Sequence, residues 1–284
     1  MKIAINGFGR IGRIFFRQAF GKGGLDIVAI NDLGSSENLA YLLKYDSVYG
    51  RYEKEVRAGA GELIVDGEKI KFFQEKEPAK LPWKELSIDM VVESTGVFDS
   101  YEKAKAHLEA GAKRAVITAP AKDEKTPTST PNVGFDFLTK EKISSNASCT
   151  TNAVTPVAAI LMKEPGIKKA ILNTVHGYTA TQGLVDSPSA KDFRRGRAGA
   201  VNIVPSSTGA AEAVYKAIPE LEKIFDGIAM RVPVISGSLI DFTFLAKRKT
   251  SVEEINELLK KAGQSPEWQG ILKVTEEPLV STDI

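Results

Sequence analysis

The sequence has few of the side chains that build cross-links and metal centres: one cysteine and two histidines in 284 residues. A single cysteine excludes an intrachain disulfide and fits a reducing compartment, so we expect a cytoplasmic protein. So few thiols and imidazoles also argue against an ordinary zinc site, and we predict no metal. No apolar run approaches the roughly 20 residues that span a bilayer. The chain opens on a predicted strand and a glycine loop, so we expect no signal peptide.

An excess of charge of either sign is absent as well. The formal net charge is +2, which gives no electrostatic reason to expect a nucleic-acid or membrane partner. With 43% hydrophobic and 26% charged residues, the composition is that of an ordinary globular protein. The length permits one large domain or two ordinary ones.

The first residues, in contrast, carry a nucleotide-binding pattern. A strand predicted over 2–6 is followed by Gly7, Gly9 and Gly12 in a G-x-G-x-x-G motif, and apolar residues then recur at helical spacing over 11–20. Gly7 permits a tight turn, Gly9 lets the backbone approach a pyrophosphate, and Gly12 allows close packing of helix on strand. A lone glycine motif is weak evidence, but here the strand and helix that it needs are both present.

An acidic residue stands where this motif places a ribose ligand. A second strand, predicted over 26–30, ends at Asn31 and Asp32, about 20 residues after the last glycine. A carboxylate there binds the ribose 2′-hydroxyl and repels a 2′-phosphate, which favours NAD over NADP. The alternative is that Asp32 caps a turn or a helix, because Gly and Ser residues follow it.

Strands alternate with helices further along the first half, which predicts a doubly wound parallel sheet. The segments are a strand over 89–93, a helix over 100–110 and a strand over 113–118. Ligands bind at the carboxyl ends of such strands. The residues there that we expect to lie near a cofactor are Thr95, Gly96 and Thr118.

Three other features of the first half are less regular. Residues 55–76 alternate apolar and polar side chains around Asp66 and Gly67, which predicts a β-hairpin. Residues 122–135 include two prolines and begin with a long polar run, which predicts an exposed loop. His107 lies on a mixed helical face, and we interpret it as a solvated surface residue.

The single cysteine, Cys149, stands at a predicted helix start. A short strand is predicted over 141–144 and an amphipathic helix over 150–162. Unpaired N–H groups and the helix dipole at such a start stabilise a thiolate. Most lone cysteines are buried structural thiols, but the neighbours here are Ser, Thr and Asn, which favours a functional site.

The second histidine, His176, ends an apolar strand and is followed by Gly and hydroxyl residues. By itself it is equally compatible with a catalytic base and with a structural histidine. In a chain that also has Cys149 at a helix start, a Cys–His catalytic pair is the leading hypothesis.

The second half also contains groups suited to anions. Arg194, Arg195 and Arg197 could bind phosphate in a bidentate way, although a solvated loop or a subunit contact explains most of them. A hydroxyl run over 206–208 opens a helix, whose N–H groups either hold an anion or are simply capped. Arg231 lies in an apolar strand region, where it needs a carboxylate or a bound anion as partner.

Together these motifs closely resemble the phosphorylating glyceraldehyde-3-phosphate dehydrogenase family along essentially the whole chain. The most specific match is the octapeptide from Ser145 to Asn152. The other matches are residues 6–13, 31–33, 94–96, 174–179, 194–195, 206–211 and 231–233. The resemblance implies an α/β protein with an NAD-binding Rossmann domain over 1–148. It also implies an α+β catalytic domain with a mixed or antiparallel sheet over 149–284.

The resemblance also implies a role for each matched residue. Cys149 is similar to the family nucleophile and His176 to its general base. The positions that match the site of the attacking inorganic phosphate are Ser148, Thr150, Arg195, Thr208 and Gly209. Those that match the site of the substrate's own phosphate are Thr179 and Arg231. The cofactor contacts are Asn6, Gly7, Gly9, Arg10, Ile11, Gly12, Asp32, Lys76, Thr95, Gly96 and Thr118.

The implied activity is the NAD-dependent oxidation and phosphorylation of glyceraldehyde 3-phosphate to 1,3-bisphosphoglycerate, a step of glycolysis, through a cysteine thiohemiacetal and thioester. The implied assembly is a homotetramer, with residues 178–200 as an interface loop. The partners are the small substrate and inorganic phosphate, with no nucleic acid and no membrane. One alternative is an erythrose-4-phosphate dehydrogenase of the same superfamily, which shares these motifs. The other is a truncated, non-catalytic binding protein.

The chain departs from the family pattern in three places. It stops at Ile284, several tens of residues before the usual end, so we expect the last part of the catalytic domain to be missing. Residues 122–131 replace an apolar strand. Residues 187–191 differ from the usual Pro-His-Lys pattern in the interface loop.

Overall fold

The computed structural model describes residues 1–138, 141–190 and 192–284, and these residues form two compact units. The first unit comprises Met1–Thr128 and Asp136–Ala147, and the second comprises Ser129–Phe135 and Ser148–Ile284. The segment Ser129–Phe135 therefore belongs to the second unit. Lys191, the last residue of the unusual segment in the predicted interface loop, lies outside the described residues.

Within the described residues, the first unit carries an eight-stranded sheet and a separate two-stranded ribbon. In chain order the strands are β1 (Lys2–Asn6), β2 (Asp26–Asn31), β3 (Tyr45–Asp46), β4 (Gly50–Arg51), β5 (Val56–Gly59), β6 (Glu62–Val65), β7 (Glu68–Phe73), β8 (Met90–Glu93), β9 (Arg114–Ile117) and β10 (Ile143–Ser145). The ribbon is β3–β4, and the large sheet has the order β10-β9-β8-β1-β2-β7-β6-β5. Neighbours from β10 to β7 are parallel, so the predicted α/β fold with a parallel sheet is confirmed.

Helices connect the parallel strands of this sheet. They are α1 (Arg10–Ala19), α2 (Ser36–Lys44) and α3 (Tyr101–Glu109). The central strands are buried on both faces and read as continuous apolar runs, such as Ile3 to Ile5 in β1. From β1 the chain first adds β2 on one side and later β8 on the other, so the strand order reverses between β1 and β8. A ligand crevice is expected outside the carboxyl ends of the strands at such a reversal.

The predicted hairpin is confirmed. Strands β6 and β7 are antiparallel, and Val65 pairs with Glu68 across the turn. Asp66 has a φ of 49° and Gly67 a φ of 86°, the left-handed pair that a two-residue hairpin turn requires.

The interpretation of His107 as a surface residue is wrong, because its side chain is fully buried. His107 lies one helical turn after Ala104, on the face of α3 that packs toward the sheet. Its imidazole finds polar partners there: Nε2 lies 2.8 Å from Glu93 Oε2, and Trp83 Nε1 donates to Nδ1 at 3.3 Å. A histidine with both ring nitrogens satisfied can be buried at little cost.

The prediction of an exposed loop over 122–135 is also wrong for much of that segment. Thr126, Thr128, Ser129 and Thr130 are each no more than 5% exposed. Thr128 forms a parallel bridge with Ser145 at the edge of the large sheet. Hydrogen bonds compensate for the missing apolar residues: Thr126 Oγ1, for example, contacts both carboxylate oxygens of Asp123, at 2.9 and 3.0 Å.

The second unit carries a four-stranded mixed sheet among its described residues. Its strands are β11 (Ile167–Gly177), β12 (Val204–Ser207), β13 (Phe225–Val232) and β14 (Ser238–Ala246), in the order β12-β13-β11-β14. Only β11 and β13 run parallel. Its helices are α4 (Cys149–Lys163), α5 (Ala210–Ala217) and α6 (Val252–Gln264). The predicted mixed sheet of an α+β arrangement is therefore confirmed.

The two faces of this sheet differ. On one face, Leu172 and Phe225 belong to a core formed with apolar residues of α4 and α5. On the other face, Ile171, Ile228 and Leu239 are between 51% and 64% exposed. In the part of the chain that the structure describes, no helix is both long and apolar enough to cross a membrane.

The buried hydroxyl of Thr130 leads to a stability prediction. Thr130 is 1% exposed, and its Oγ1 has no hydrogen-bond partner among the described residues. Replacing that hydroxyl by a methyl group removes an unsatisfied buried polar atom, so Thr130→Val should raise the free energy of unfolding by about 1 kcal/mol. Urea denaturation followed by circular dichroism measures this change.

Thr126→Val is the matched control, because Thr126 is equally buried but its hydroxyl is bonded to Asp123. This variant should lose stability where Thr130→Val gains it. A Thr130→Val chain that is less stable than the wild type would show that the hydroxyl is satisfied in solution.

Candidate active site

The carboxyl ends of β1, β2, β7, β8 and β9 lie at one edge of the large sheet, because these strands are parallel. Gly7 follows β1 with a φ of 91°, and a Cβ on it would lie 2.6 Å from the backbone N of Thr95. A Cβ on Gly12 would lie 2.1 Å from Gly7 O, so α1 packs directly on the turn. A Cβ on Gly9, in contrast, would meet nothing within 4 Å. The loop is thus tight on its inner side and open where a pyrophosphate would approach the start of α1.

Asp32 anchors this loop from the end of β2. Its Oδ2 accepts a hydrogen bond from Phe8 N at 2.6 Å, and its Oδ1 accepts one from Gly34 N at 2.8 Å. The turn contact that the sequence left open as an alternative is therefore present. Because the carboxylate is only half-buried, a ribose hydroxyl can still reach it, and the ribose role stays a prediction.

The other residues predicted to contact the cofactor differ in exposure. The exposed ones are Ile11, Lys76, Thr95 and Gly96. Thr118 is half-buried, and its Oγ1 donates to Glu93 O at 3.0 Å. The side chain of Arg10 forms an ion pair with Asp46. Asn6 is only 1% exposed, so its side chain makes its contacts inside the first unit.

Cys149 is the first residue of α4, as predicted, and Ser148 is the N-cap. Ser148 Oγ accepts a hydrogen bond from Thr151 N at 3.1 Å, which satisfies one of the free amides of the first turn. The cysteine is exposed. A thiol at this position lies at the positive end of the helix dipole, which favours its ionised form.

The geometry of the second unit brings His176 to this thiol. His176 lies near the end of β11, and its Nε2 is 3.2 Å from Cys149 Sγ. The parallel register of β11 and β13 places Arg231 beside His176. The other ring nitrogen, Nδ1, lies 2.6 Å from Gly177 O and 2.5 Å from Arg231 Nη1. Three residues that the sequence singled out separately are therefore in contact.

This contact changes the acidity of both members of the pair. The hydrogen bond from His176, together with the imidazole charge and two contacts from Thr150, lowers the pKa of the Cys149 thiol. The atoms around the sulfur shield it in part from water, although the residue as a whole is exposed, and this shielding opposes the change. The hydrogen bond to Cys149 raises the pKa of His176, helped by Gly177 O and opposed by burial and by the charge of Arg231. Both shifts favour a thiolate next to an imidazolium.

Two guanidinium groups of the second unit are suited to hold anions. Arg231 Nη1 donates to Gly177 O at 3.1 Å, and Arg195 Nη2 donates to Ser206 Oγ at 2.7 Å. Among the described residues, neither arginine forms an ion pair with a carboxylate. Burial lowers the pKa of Arg231 and the nearby Arg195 lowers it further, against the opposing effect of Cys149. Half-buried guanidinium groups without a carboxylate partner are suited to bind an anion.

The remaining predicted phosphate contacts lie in two places. Thr208 and Gly209 stand at the start of α5, where Thr208 Oγ1 accepts a hydrogen bond from Ala210 N at 3.1 Å. Thr179 is exposed, and its Oγ1 lies 2.9 Å from Thr181 Oγ1 rather than in contact with the Cys–His pair. The phosphate roles of these residues stay predictions.

One buried group at the cofactor edge was missed from the sequence. Glu93, the last residue of β8, is 2% exposed and accepts hydrogen bonds from Asn6, Thr95 and His107. The sequence did contain a signal, because Glu93 directly ends a buried apolar strand. A carboxylate in such a position can be buried only if hydrogen-bond donors contact it.

A dinucleotide loop serves hydride transfer, and a thiol ionised by an imidazole serves covalent catalysis at a carbonyl group. A chain that carries both, each in its own unit, has the groups of an NAD-dependent oxidoreductase. Comparison with known proteins defines the class more narrowly.

Residues 1–101 match the family described as "Glyceraldehyde 3-phosphate dehydrogenase, NAD binding domain", and residues 148–284 match "Glyceraldehyde 3-phosphate dehydrogenase, C-terminal domain". The chain is 50% identical over 291 residues to a glyceraldehyde-3-phosphate dehydrogenase of Borreliella burgdorferi, with 100% of this chain and 86% of that protein covered. It is 48% identical to glyceraldehyde-3-phosphate dehydrogenase 1 of Kluyveromyces lactis, with 100% and 85% covered. The enzyme of Klebsiella pneumoniae is 47% identical, with 98% and 91% covered. The chain belongs to the glyceraldehyde-3-phosphate dehydrogenase family.

The Cys–His contact predicts how thiol reactivity depends on pH. Alkylation requires the thiolate, so a lowered pKa moves the half-maximal rate to a pH below the ordinary cysteine value of about 8.5. His176→Asn removes the largest cause of the shift. We therefore expect the midpoint to rise toward about 8.5 and the rate at pH 6.5 to fall about tenfold. Loss of the single thiol during reaction with iodoacetamide measures the rate.

The urea-unfolded wild-type chain is the control, because its thiol has no imidazole partner and gives the unperturbed midpoint. An unchanged midpoint in folded His176→Asn would contradict the assignment of the shift to His176.

Proposed function

We propose that this chain oxidises glyceraldehyde 3-phosphate with NAD⁺ and phosphorylates it to 1,3-bisphosphoglycerate, as its family membership implies. The observation that carries the proposal is the 3.2 Å contact between Cys149 Sγ and His176 Nε2 in a chain of this family. The contact supplies both the nucleophile and the proton-transfer group that oxidation of an aldehyde through a thioester needs.

The chemistry of the second unit follows from this pair. The Cys149 thiolate adds to the aldehyde carbon, and the protonated His176 Nε2 donates a proton to the resulting alkoxide oxygen, which gives a thiohemiacetal. His176 Nε2 takes this proton back when the adduct is oxidised. NAD⁺, when bound, supplies the two-electron oxidant that converts this adduct to a thioester. The thioester keeps the energy of oxidation, and inorganic phosphate then attacks its carbonyl carbon. Cys149 leaves as a thiolate, stabilised again by His176 and the start of α4.

The residues present fit the dinucleotide. The loop at Gly7, Gly9 and Gly12 is open only at Gly9, and Asp32 at the end of β2 suits a ribose and disfavours a 2′-phosphate. We propose that residues 1–148 form the cofactor-binding domain, apart from Ser129–Phe135 and Ser148, which belong to the second unit, and that residues 149–284 form the catalytic domain.

Two phosphate groups need two sets of donors. The proposal assigns Arg231 and Thr179 to the substrate's own phosphate. It assigns the inorganic phosphate to Ser148, Thr150, Arg195, Thr208 and Gly209. Support comes from the half-buried guanidinium groups of Arg195 and Arg231, which lack a carboxylate partner among the described residues.

We also propose that the chain assembles as a homotetramer and works in the cytoplasm. The open face of the second sheet supports assembly, because Ile171, Ile228 and Leu239 expose apolar surface that a soluble monomer rarely leaves uncovered. Residues 178–200 add further exposed apolar side chains, Leu184 and Phe193 among them. The single free thiol suits a reducing compartment.

The functional test is an NADH-formation assay with glyceraldehyde 3-phosphate, run with and without inorganic phosphate. We expect turnover that depends on phosphate and falls at least 10⁴-fold in Cys149→Ser, because a serine hydroxyl at this position is not ionised. Calorimetric titration with NAD⁺ should show that this variant keeps the wild-type cofactor affinity. Substantial turnover in Cys149→Ser would contradict the assignment of Cys149 as the nucleophile.

The same assay separates the alternatives. A higher kcat/KM for erythrose 4-phosphate than for the triose would favour the tetrose dehydrogenase. A chain that binds NAD⁺ but oxidises neither aldehyde would favour a non-catalytic binding protein.

If the chain assembles through the open face of the second sheet, a charge introduced on that face should reduce the mass of the oligomer. Light scattering of the wild type should give about four chains of 30.7 kDa each. Ile228→Asp should give smaller species, because a buried carboxylate without a partner is costly at an apolar interface. Ile228→Val keeps the surface apolar and should leave the mass unchanged. A wild-type mass of one chain would contradict the assembly.

A further inference from the structure

The crevice where the strand order of the large sheet reverses is bridged by a buried polar network. Asn6 ends β1 on one side of the reversal, and Glu93 ends β8 on the other. Asn6 Nδ2 donates to Glu93 Oε2 at 2.6 Å, so a side-chain hydrogen bond joins the two strand ends at the base of the crevice. Both side chains are at most 2% exposed, so this contact is part of the interior.

The network fixes the charge of Glu93. Oε2 also accepts from His107 Nε2 at 2.8 Å, and Oε1 accepts from Thr95 N at 2.8 Å and from Thr95 Oγ1 at 2.5 Å. Four donors converge on two oxygens, which only the ionised carboxylate can satisfy. Trp83 Nε1 donates to His107 Nδ1, so the ring is neutral and its proton lies on Nε2, toward Glu93.

The donors belong to the segments that form the cofactor edge. Thr95 lies in the turn after β8, and Asn6 directly precedes the glycine loop. Ser94 ties the same two segments together, since its Oγ donates to Gly7 O at 2.6 Å and its N donates to Asn6 O at 2.7 Å. A Cβ at Gly7 would collide with the Thr95 backbone, so the two segments are in direct contact.

Asn31 extends the network to the third strand end. Its Nδ2 donates to Asn6 Oδ1 at 2.7 Å and to Glu75 O at 2.9 Å, and its Oδ1 accepts from Glu75 N at 2.8 Å. The ends of β1, β2, β7 and β8 are thus held in one chain of hydrogen bonds that starts at Glu93.

A purely stabilising role does not account for this arrangement. An ionised carboxylate that is buried without a cationic partner costs stability unless every donor is in place, and a set of apolar side chains in place of the whole network would pack there at lower cost. A charged group does fix geometry, because each donor must hold its position to satisfy it. The segments that it fixes are those from which cofactor contacts are expected.

We propose that Glu93 is a positioning residue for NAD: its buried carboxylate sets the spacing of the glycine loop and the Ser94–Gly96 turn across the crevice. This inference rests on the proposed use of NAD. Glu93 does not need to touch the cofactor, and its effect reaches the ligand through the Thr95 backbone and the Gly7 turn.

Glu93→Gln tests the proposal, because it keeps the shape and removes the charge. The amide group that replaces the carboxylate then faces two donors, Asn6 Nδ2 and His107 Nε2, and His107 cannot reverse its tautomer while Trp83 donates to Nδ1. We expect the Kd of NAD⁺, measured by calorimetric titration on folded protein, to rise at least tenfold. The cofactor-free rate of Cys149 alkylation should stay within twofold of the wild type.

Asp99→Asn is the matched control. Asp99 is a second buried carboxylate of the same unit, 4% exposed, but it pairs with Lys103 and Lys122 rather than with Asn6, Thr95 or His107. This variant should lose thermal stability while its Kd for NAD⁺ stays within twofold of the wild type. Equal increases in Kd in the two variants would overturn the proposal, because they would show an effect of stability alone.

A second variant reverses the polarity of the crossing bond. In the double variant Asn6→Asp with Glu93→Gln, the amide donates from the β8 side to a carboxylate on the β1 side, and only the His107 contact stays unmatched. We expect its Kd for NAD⁺ to recover to within threefold of the wild type. If Glu93→Gln alone does not fold, this double variant carries the test, and tenfold weaker binding by its folded form would overturn the proposal.

NAD⁺ binding by the wild type separates a failure of the proposed function from a failure of the role of Glu93. A wild-type chain that binds no NAD⁺ would overturn the proposed function and the role of Glu93 with it. A wild-type chain that binds NAD⁺ no better than folded Glu93→Gln would overturn the role of Glu93 alone.

Discussion

The contact between Cys149 Sγ and His176 Nε2 is the interaction on which the chemistry proposed for the second unit depends. A free thiol is mostly protonated at neutral pH, and it becomes a useful nucleophile only where a positive group stabilises its anion. Here the start of α4 supplies part of that stabilisation and the imidazole supplies the rest. The core formed by α4, α5 and the covered face of the sheet holds the start of α4 against β11, which keeps Cys149 Sγ 3.2 Å from His176 Nε2.

Much of this site could be predicted from the sequence because its chemistry imposes residue types locally. The turn at Gly7 tolerates no side chain against the Thr95 backbone, and Gly12 tolerates none against Gly7 O. A thiol among Ser, Thr and Asn at a helix start is similarly unlike a core residue. Such patterns are set by near neighbours in the chain, which is why the strands and the helices follow from them, and why Cys149 and His176 each stand out before their contact is known.

The sequence predictions that are wrong concern polar residues whose burial depends on partners far away in the sequence. His107 has no local feature of a buried residue, and its partner Glu93 is 14 positions away. The threonines over 126–130 have the composition of a surface loop, yet hydrogen bonds and a bridge to Ser145 place them in the interior. Hydrophobic periodicity cannot predict polar residues that are buried, because what makes their burial tolerable is a hydrogen-bond partner rather than an apolar face.

In the two histidines, the groups that face Nδ1 determine whether Nε2 can exchange a proton. At His107 a donor, Trp83 Nε1–H, faces Nδ1, so Nε2 must carry the proton and can only act as a fixed donor to Glu93. At His176 both an acceptor, Gly177 O, and a donor, Arg231 Nη1, face Nδ1, so neither tautomer is fixed and Nε2 can give or take a proton at Cys149. Arg231, also at Nδ1, opposes that positive charge, and an anion that binds Arg231 would weaken the opposition. An anion bound to Arg231 would therefore affect proton transfer at the Cys149 thiol, although Arg231 and Cys149 contact opposite nitrogens of the ring.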